Sequence, residues 1–509
     1  MAQLPFPQPG FGLLTCALLF VLPLYAACHP MRISDQPQLV MERLSLPMVK
    51  FNWTSISCRV CQALFTILDV ALLSDINEER VARAVGEACI RLHLADEQVC
   101  RDITELFRDD FIRALQESLL WPTEACAFLV GPSCGKFDIY ASWNITLPKD
   151  PKPPVTPPVP PKPGSPQSRV LFLTDIHWDK EYITGSAADC KEPLCCRKDS
   201  YSPMWWRREA GYWGTYGKCD LPLRTVENLL ENAAGAGPWD WVYWTGDIPA
   251  HNVWSQTRQQ QLSALTVITR LIQKHLGPNV TVYPAIGNHE STPVNSFPPP
   301  FVHGNRSSAW LYNTMADEWS KWLPEQALKS LRYESTITGQ FFGHTHFDEF
   351  QMFYDGETMT RPLGVSFIAP SVTTYINLNP GYRVYYVDGN YQGSSRMVLD
   401  HETFILNLTE ANHKSGEPKE NPKWTLLYRA TETYGLASLF PSDLDKLVQG
   451  FFGDERLFQK FWYFRHKGHV SEPCKETCKT AILCFLRSGR YDLLQKCDLN
   501  GVKVRKSLC

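Results

Sequence analysis

The chain has 509 residues, a formal net charge of -3 and a pI near 6.5. That length accommodates two to four domains with a large apolar core, and the near-neutral balance, with no block of basic residues, argues against a nucleic-acid partner. The first apolar run, about Phe11 to Tyr25, ends in Ala26-Ala27. It reads as a secretory signal peptide over residues 1–28, although its amino end lacks the usual positive charge. Pro23 and the shortness of the run disfavour a signal anchor, and no later stretch is apolar for the length a bilayer span needs.

Seventeen cysteines in a secreted chain read as disulfides. Discounting Cys16 and Cys28 leaves an odd number, with Cys509 the candidate for the unpaired one. Asn52, Asn144, Asn279, Asn305 and Asn407 each begin an Asn-x-Ser/Thr site, which expects a glycoprotein with those side chains at the surface.

Residues 53–138 hold Cys58, Cys61, Cys89, Cys100, Cys126 and Cys134 among segments whose apolar residues recur at three and four, the helical period. Cys58-x-x-Cys61 has the spacing of a redox or zinc pair, but the oxidising compartment and the four further cysteines favour disulfides. This unit resembles a saposin-type domain. The resemblance implies the pairs Cys58–Cys134, Cys61–Cys126 and Cys89–Cys100, and a set of helices able to open an apolar face onto lipid. Otherwise Leu64, Phe65, Ile67 and Leu68 only fill a core. Residues 147–167, LPKDPKPPVTPPVPPKPGSPQ, form a semi-rigid polyproline spacer.

From Ser168 the pattern becomes α/β. RVLFLTDIH (169–177) reads as a strand ending in Asp175 and His177, and WVYWTGDIPAH as a strand ending at Asp247, with His251 four residues on. TVYPAIGNHE and QFFGHTH repeat the design with Asn288-His289-Glu290 and His344-x-His346. Four strand ends bearing Asp/His, Asp, Asn-His and His-x-His are the makings of a two-metal hydrolase. Helices are expected over 223–233, 255–275 and 307–331, and strands between Met352 and Tyr391. Cys190–Cys195 and Cys196–Cys219 are the sensible pairs, since adjacent cysteines do not readily bond to each other. The catalytic domain is placed at 168–440. Residues 441–509 read as a helical domain stapled by Cys474–Cys478 and Cys484–Cys497.

The four strand ends resemble those of the calcineurin-like metallophosphoesterases, and the whole domain order resembles the acid sphingomyelinase family. The resemblance implies an all-α saposin-like domain, an α/β metallophosphoesterase sandwich and a helical tail. It implies two zinc ions: the first on Asp175, His177, Asp247 and His346, the second on Asp247, Asn288, His344 and one more histidine. His289 would be the general acid and His251 an aid to the phosphoryl oxygens; Glu290 would orient a ligand. The substrate would be sphingomyelin at a membrane surface, and the location the lysosomal lumen or the extracellular space. The sequence departs in one place: the family's extra Gly-His segment has no counterpart. His303, in a proline-rich loop, is a poor substitute. Leu331-Arg332 runs into Tyr333-Glu334 as if an internal block were absent, as a skipped exon or a mis-joined gene prediction would produce. Weak second-site affinity and exposed sheet edges should follow. A catalytically silent lipid-binding glycoprotein and a secreted nucleotide phosphodiesterase are the alternatives.

Overall fold

A computed structural model describes residues 75–91, 95–110 and 122–130, then 159–198, 208–299, 301–323, 339–354, 360–413 and 421–489, with a few single residues and a small hairpin near the C-terminus. Several expectations fall outside these residues: the signal peptide, most of the spacer, Cys61, Cys497, Cys509, Asn52, Asn144 and the Arg332–Tyr333 seam. The chain divides into two compact units, 1–155 and 156–508.

In the first unit the described helices are α1 (Asp75–Arg91), α2 (Glu97–Leu106) and α3 (Pro122–Val130). Asp96 caps α2 by accepting from the Gln98 amide. Val99 and Cys100 sit one turn from that cap and are buried. Disulfides join Cys58 to Cys134 and Cys89 to Cys100. Cys126 is also disulfide-bonded.

The second unit begins with β1 (Gln167–Leu173), α4 (Leu223–Ala236), β2 (Trp241–Trp244), α5 (Arg258–Leu276), β3 (Val282–Pro284) and α6 (Ala309–Trp319). There follow β4 (Gln340–Phe342), β5 (Glu349–Tyr354), β6 (Pro362–Ile368), β7 (Gly381–Asp388), β8 (Val398–Leu406), the short α7 (Leu408–His413) and β9 (Trp424–Arg429). The helices α8 (Ala430–Tyr434), α9 (Pro441–Gly453), α10 (Glu455–Arg465) and α11 (Glu476–Leu486) complete it. Six strands form one sheet in the order β3-β2-β1-β7-β8-β9, and three form another in the order β4-β6-β5. The first three strands run parallel, as crossovers through α4 and α5 require. β7 turns antiparallel to β1.

Alternation along β1 explains the layers. Leu171 and Leu173 point to one face, where they meet Leu229 and Leu230 of α4 and Ile268 and Ile272 of α5. Val170 and Phe172 point to the other, against Met352 of β5, Phe367 of β6 and Val448 and Phe451 of α9. Phe172 is fully buried and lies 6.1 Å from Phe341 and 5.7 Å from Tyr385, ring centre to ring centre. Removing a ring so placed costs about 3–5 kcal/mol. Helices α9 and α11, beyond residue 440, therefore complete the core of the sheets.

Several elements differ from the sequence reading. The helix expected over 255–275 starts at Arg258, because Thr257 and Gln260 close a reciprocal capping box there. The helix expected from 307 to 331 ends, within the described residues, at Trp319. Strands β8 and β9 were not anticipated. Disulfides join Cys190 to Cys195, Cys196 to Cys219 and Cys474 to Cys478, and Cys484 is disulfide-bonded. Asn279 and Asn305 are exposed and Asn407 half-buried. No helix among the described residues is long and apolar enough to cross a membrane.

Candidate metal centre

Each singled-out segment lies at the carboxyl end of a strand: Asp175 and His177 follow β1, Asp247 follows β2, Asn288 follows β3, and His344 and His346 follow β4. In open α/β sheets this edge is where ligands are bound. Five of these six residues adopt left-handed backbone: Asp175, His177, Asp247, His344 and His346, with φ between 42° and 76°. Residues with a Cβ seldom occupy that region, and such strain concentrates at functional sites. Two glycines make the approach possible. Gly246 has φ 76°, and a Cβ on it would overlap the Gly287 amide. A Cβ on Gly343 would overlap Thr174 Oγ1 and an oxygen of Asp175.

His346 Nε2 lies 3.2 Å from His177 Nε2 and 3.5 Å from Asp175 Oδ1. His177 Nε2 lies 4.0 Å from Asp175 Oδ1 and 3.9 Å from Asp247 Oδ2. Donors held about 2.0–2.2 Å from one tetrahedral cation are separated by about 3.3–3.6 Å. Asp175, His177 and His346 thus offer three donor atoms within 4.8 Å of one another, close enough to converge on one ion, with an Asp247 oxygen beside His177. His177 Nδ1 is 2.7 Å from the Pro249 carbonyl, so it carries the proton and leaves Nε2 free. Burial and the neighbouring carboxylates Asp175 and Glu290 push the Asp247 carboxyl up. A cation would relieve that repulsion.

The other half of the cluster is more open. Asn288 is half-buried and His344 exposed, with His344 Nδ1 3.1 Å from Asn288 Oδ1. The His344 amide donates to both oxygens of Asp175 at 2.8 and 2.9 Å. His289 donates its amide to Asp247 Oδ1 at 2.9 Å, while its ring Nδ1 is buried without a hydrogen-bond partner. Glu290 is buried and accepts from the amides of Asp247 and Ile248 at 3.1 and 2.7 Å, which locks the turn carrying Asp247. His303 is exposed, ahead of a short turn of 3-10 helix. β3 is an outer strand, as is β4, and Tyr283, Ile286 and Phe342 at their ends are exposed.

Sequence reasoning missed Asp220. It is fully buried, accepts from the His251 amide at 2.7 Å and lies 2.9 Å from His251 Nδ1, leaving Nε2 free. His251 also stacks on Tyr375 at 4.0 Å. Burial raises the Asp220 carboxyl to about 6 and lowers His251 to about 3; the nearby His344 adds to the latter. Between about pH 3 and 6 both groups therefore favour their neutral forms. Burial and the neighbouring imidazoles also push His289 well down. Burial thus disfavours the charged form of both rings, including His289, the expected general acid. No motif in KCDLP marks Asp220, since its partners lie in strand ends far along the chain.

The profile of the calcineurin-like phosphoesterases matches residues 168–358, and that of the acid sphingomyelin phosphodiesterase C-terminal region matches 361–497. The sphingomyelin phosphodiesterase of Homo sapiens is 47% identical over 551 aligned positions, covering 92% of this chain and 86% of the relative. That of Bos taurus is 48% identical over 526, covering 87% and 83%. Sphingomyelin phosphodiesterase 2 of Caenorhabditis elegans is 27% identical over 554, covering 86% and 87%. All three alignments are longer than the 509 residues available, so each relative carries segments with no counterpart here. Both halves of the second unit match, the first on the profile that bears the strand-end donors, and the chain belongs to the acid sphingomyelin phosphodiesterase family of metallophosphoesterases.

Proposed function

We propose that this chain is built as a zinc phosphodiesterase that cleaves sphingomyelin to ceramide and phosphocholine at acid pH, and that it holds one of its two metals poorly. The observation that carries the reading is the quartet Asp175, His177, Asp247 and His346, in which His177 Nε2 lies 3.2–4.0 Å from one donor atom of each of the other three. Nitrogen and oxygen donors in this number suit zinc. Bound zinc supplies a Lewis acid for the phosphoryl oxygens and a water of lowered pKa.

The protein's own groups do the rest. Asp247 is held by the His289 amide and by the turn that Glu290 locks, so it can offer its oxygens to both metals. His289 is assigned the proton for the departing ceramide oxygen, and His251, steadied by Asp220, a hydrogen bond to a phosphoryl oxygen. Because burial disfavours charge on both rings, the entering phosphodiester anion would supply the charge that favours their protonation.

The second metal keeps Asp247, Asn288 and His344. The family's further histidine belongs to a segment we place at the Arg332–Tyr333 seam, as the longer alignments support. Weak or absent turnover of this polypeptide follows. The cysteine-clamped helices of the first unit support a saposin-like domain that meets the membrane surface, and the disulfides support a lysosomal or extracellular location.

The test is metal analysis of the purified secreted protein, with hydrolysis of sphingomyelin and of a nucleotide compared side by side at about pH 5. One retained zinc and slow cleavage of sphingomyelin alone support the reading. Two tightly held zincs with full turnover refute the defect, and preference for the nucleotide refutes the substrate. Zinc-independent lipid binding without cleavage would mark a silent lipid-binding glycoprotein.

A further inference from the structure

We propose that Lys467, in the turn after α10, is a positioning residue for the metal centre: it fixes the Ser371–Thr374 loop, which in turn holds the backbones of Asp175 and His346 and the carboxylate behind His251. The inference rests on reading Asp175 and His346 as metal donors.

Lys467 is fully buried, in left-handed backbone with φ 52°. Its Nζ donates to the Ser371 carbonyl at 2.9 Å, Ser371 Oγ at 2.8 Å and the Thr373 carbonyl at 3.3 Å. An ammonium has three donors and no acceptor, so three oxygens saturate it. Burial alone pushes Lys467 well down, while Asp175 and Asp348 favour its charge. A buried amine is costly to keep. Here three hydrogen bonds offset that cost, and they tie down a loop that has no regular structure of its own.

That loop touches three parts of the site. The Ser371 amide donates to the His346 carbonyl at 3.3 Å, Val372 to Thr174 at 3.0 Å, and Thr373 to Asp175 at 3.0 Å. Thr373 Oγ1 donates to Asp220 Oδ1 at 2.9 Å, and Asp220 in turn holds His251. The far side of the turn is equally fixed. Asn379 Nδ2 donates to the Lys467 carbonyl at 3.0 Å, and His469 stacks on Tyr216 at 3.8 Å. One side chain thus carries the rigidity of the C-terminal helices to strand ends far from it in sequence. Partners one layer behind metal ligands commonly govern affinity about 10–100-fold.

The experiment uses the full secreted chain as parent, Lys467→Met and Ser371→Ala. Three quantities are measured: zinc affinity by chelator competition, the visible spectrum of the cobalt-loaded protein, and the melting temperature after chelation. Lys467→Met is expected to weaken zinc binding about tenfold or more and to shift the cobalt bands at saturation. Ser371→Ala, which loses one of three contacts, should weaken binding a few-fold in the same direction. It also carries the test should Lys467→Met not be secreted. Parental affinity and an unchanged cobalt spectrum, with only a lower melting temperature, would overturn the proposal and leave Lys467 a packing residue. If the parent itself takes up neither zinc nor cobalt, the metal-centre reading falls first and this inference with it.

Discussion

The two halves of the donor cluster sit side by side on the same strand ends, yet they differ in enclosure. Asp175, His177, Asp247 and His346 are 0–6% exposed, and each is pinned by backbone or carboxylate partners. Asn288 is half-buried and His344 exposed, and the outer strands β3 and β4 that carry them present Tyr283 and Phe342 to solvent. On the proposed reading, the difference means that one metal site would stay complete while its neighbour is impaired, because the missing donor belongs to one edge. The buried half draws on β1, β2 and β4, together with the Ser371–Thr374 loop. The open half stands where, among the described residues, two sheet edges lack neighbours.

Substitutions can break this contrast. Asp247→Asn should do most, because both halves share that carboxylate: retained zinc and any hydrolysis should fall by about 100-fold or more, read by metal analysis and sphingomyelin turnover. His346→Ala should empty the buried half alone, lowering the affinity of the tightly held zinc by about 10–100-fold in chelator competition.

Asp220→Asn addresses the group behind the buried half, and its sign follows from linkage. Burial raises Asp220 from 3.8 to about 6 in the folded chain, so its contribution is fully present below about pH 4 and lost as pH rises through about 6. A shift of that size corresponds to about 3 kcal/mol. In chelated protein, denaturant unfolding of Asp220→Asn relative to the parent should therefore improve by up to that amount between about pH 4 and pH 7.5. A pH-independent difference would contradict it. His344→Ala should matter least: since, on the proposed reading, the open half lacks a donor, the tight zinc should change in affinity by less than about threefold.

Much of the site was legible because its residues announce themselves locally. An apolar run ending in Asp-x-His, Gly-Asp, Asn-His or His-x-His is a strand delivering polar groups to one sheet edge, and the structure brings those groups together. The supporting residues were not legible. Thr373 meets Asp220 across 153 positions and Lys467 meets Ser371 across 96. A lysine in FRHKGH reads as solvated until the fold closes over it. Element ends were blurred for a local reason: Ser255 and Thr257 both suit a helix cap, and only the Gln260 side chain decides between them. Strands β8 and β9 escaped notice because their alternation is broken by charges, such as Asp400, Glu402 and Arg429, that pair across the sheet.

The most direct measurement is zinc stoichiometry of the purified secreted chain after exhaustive dialysis against a moderate chelator. The account predicts close to one equivalent retained, lost in Asp247→Asn and kept in His344→Ala. Two equivalents held with equal tenacity, or one held equally well by Asp247→Asn, would contradict it.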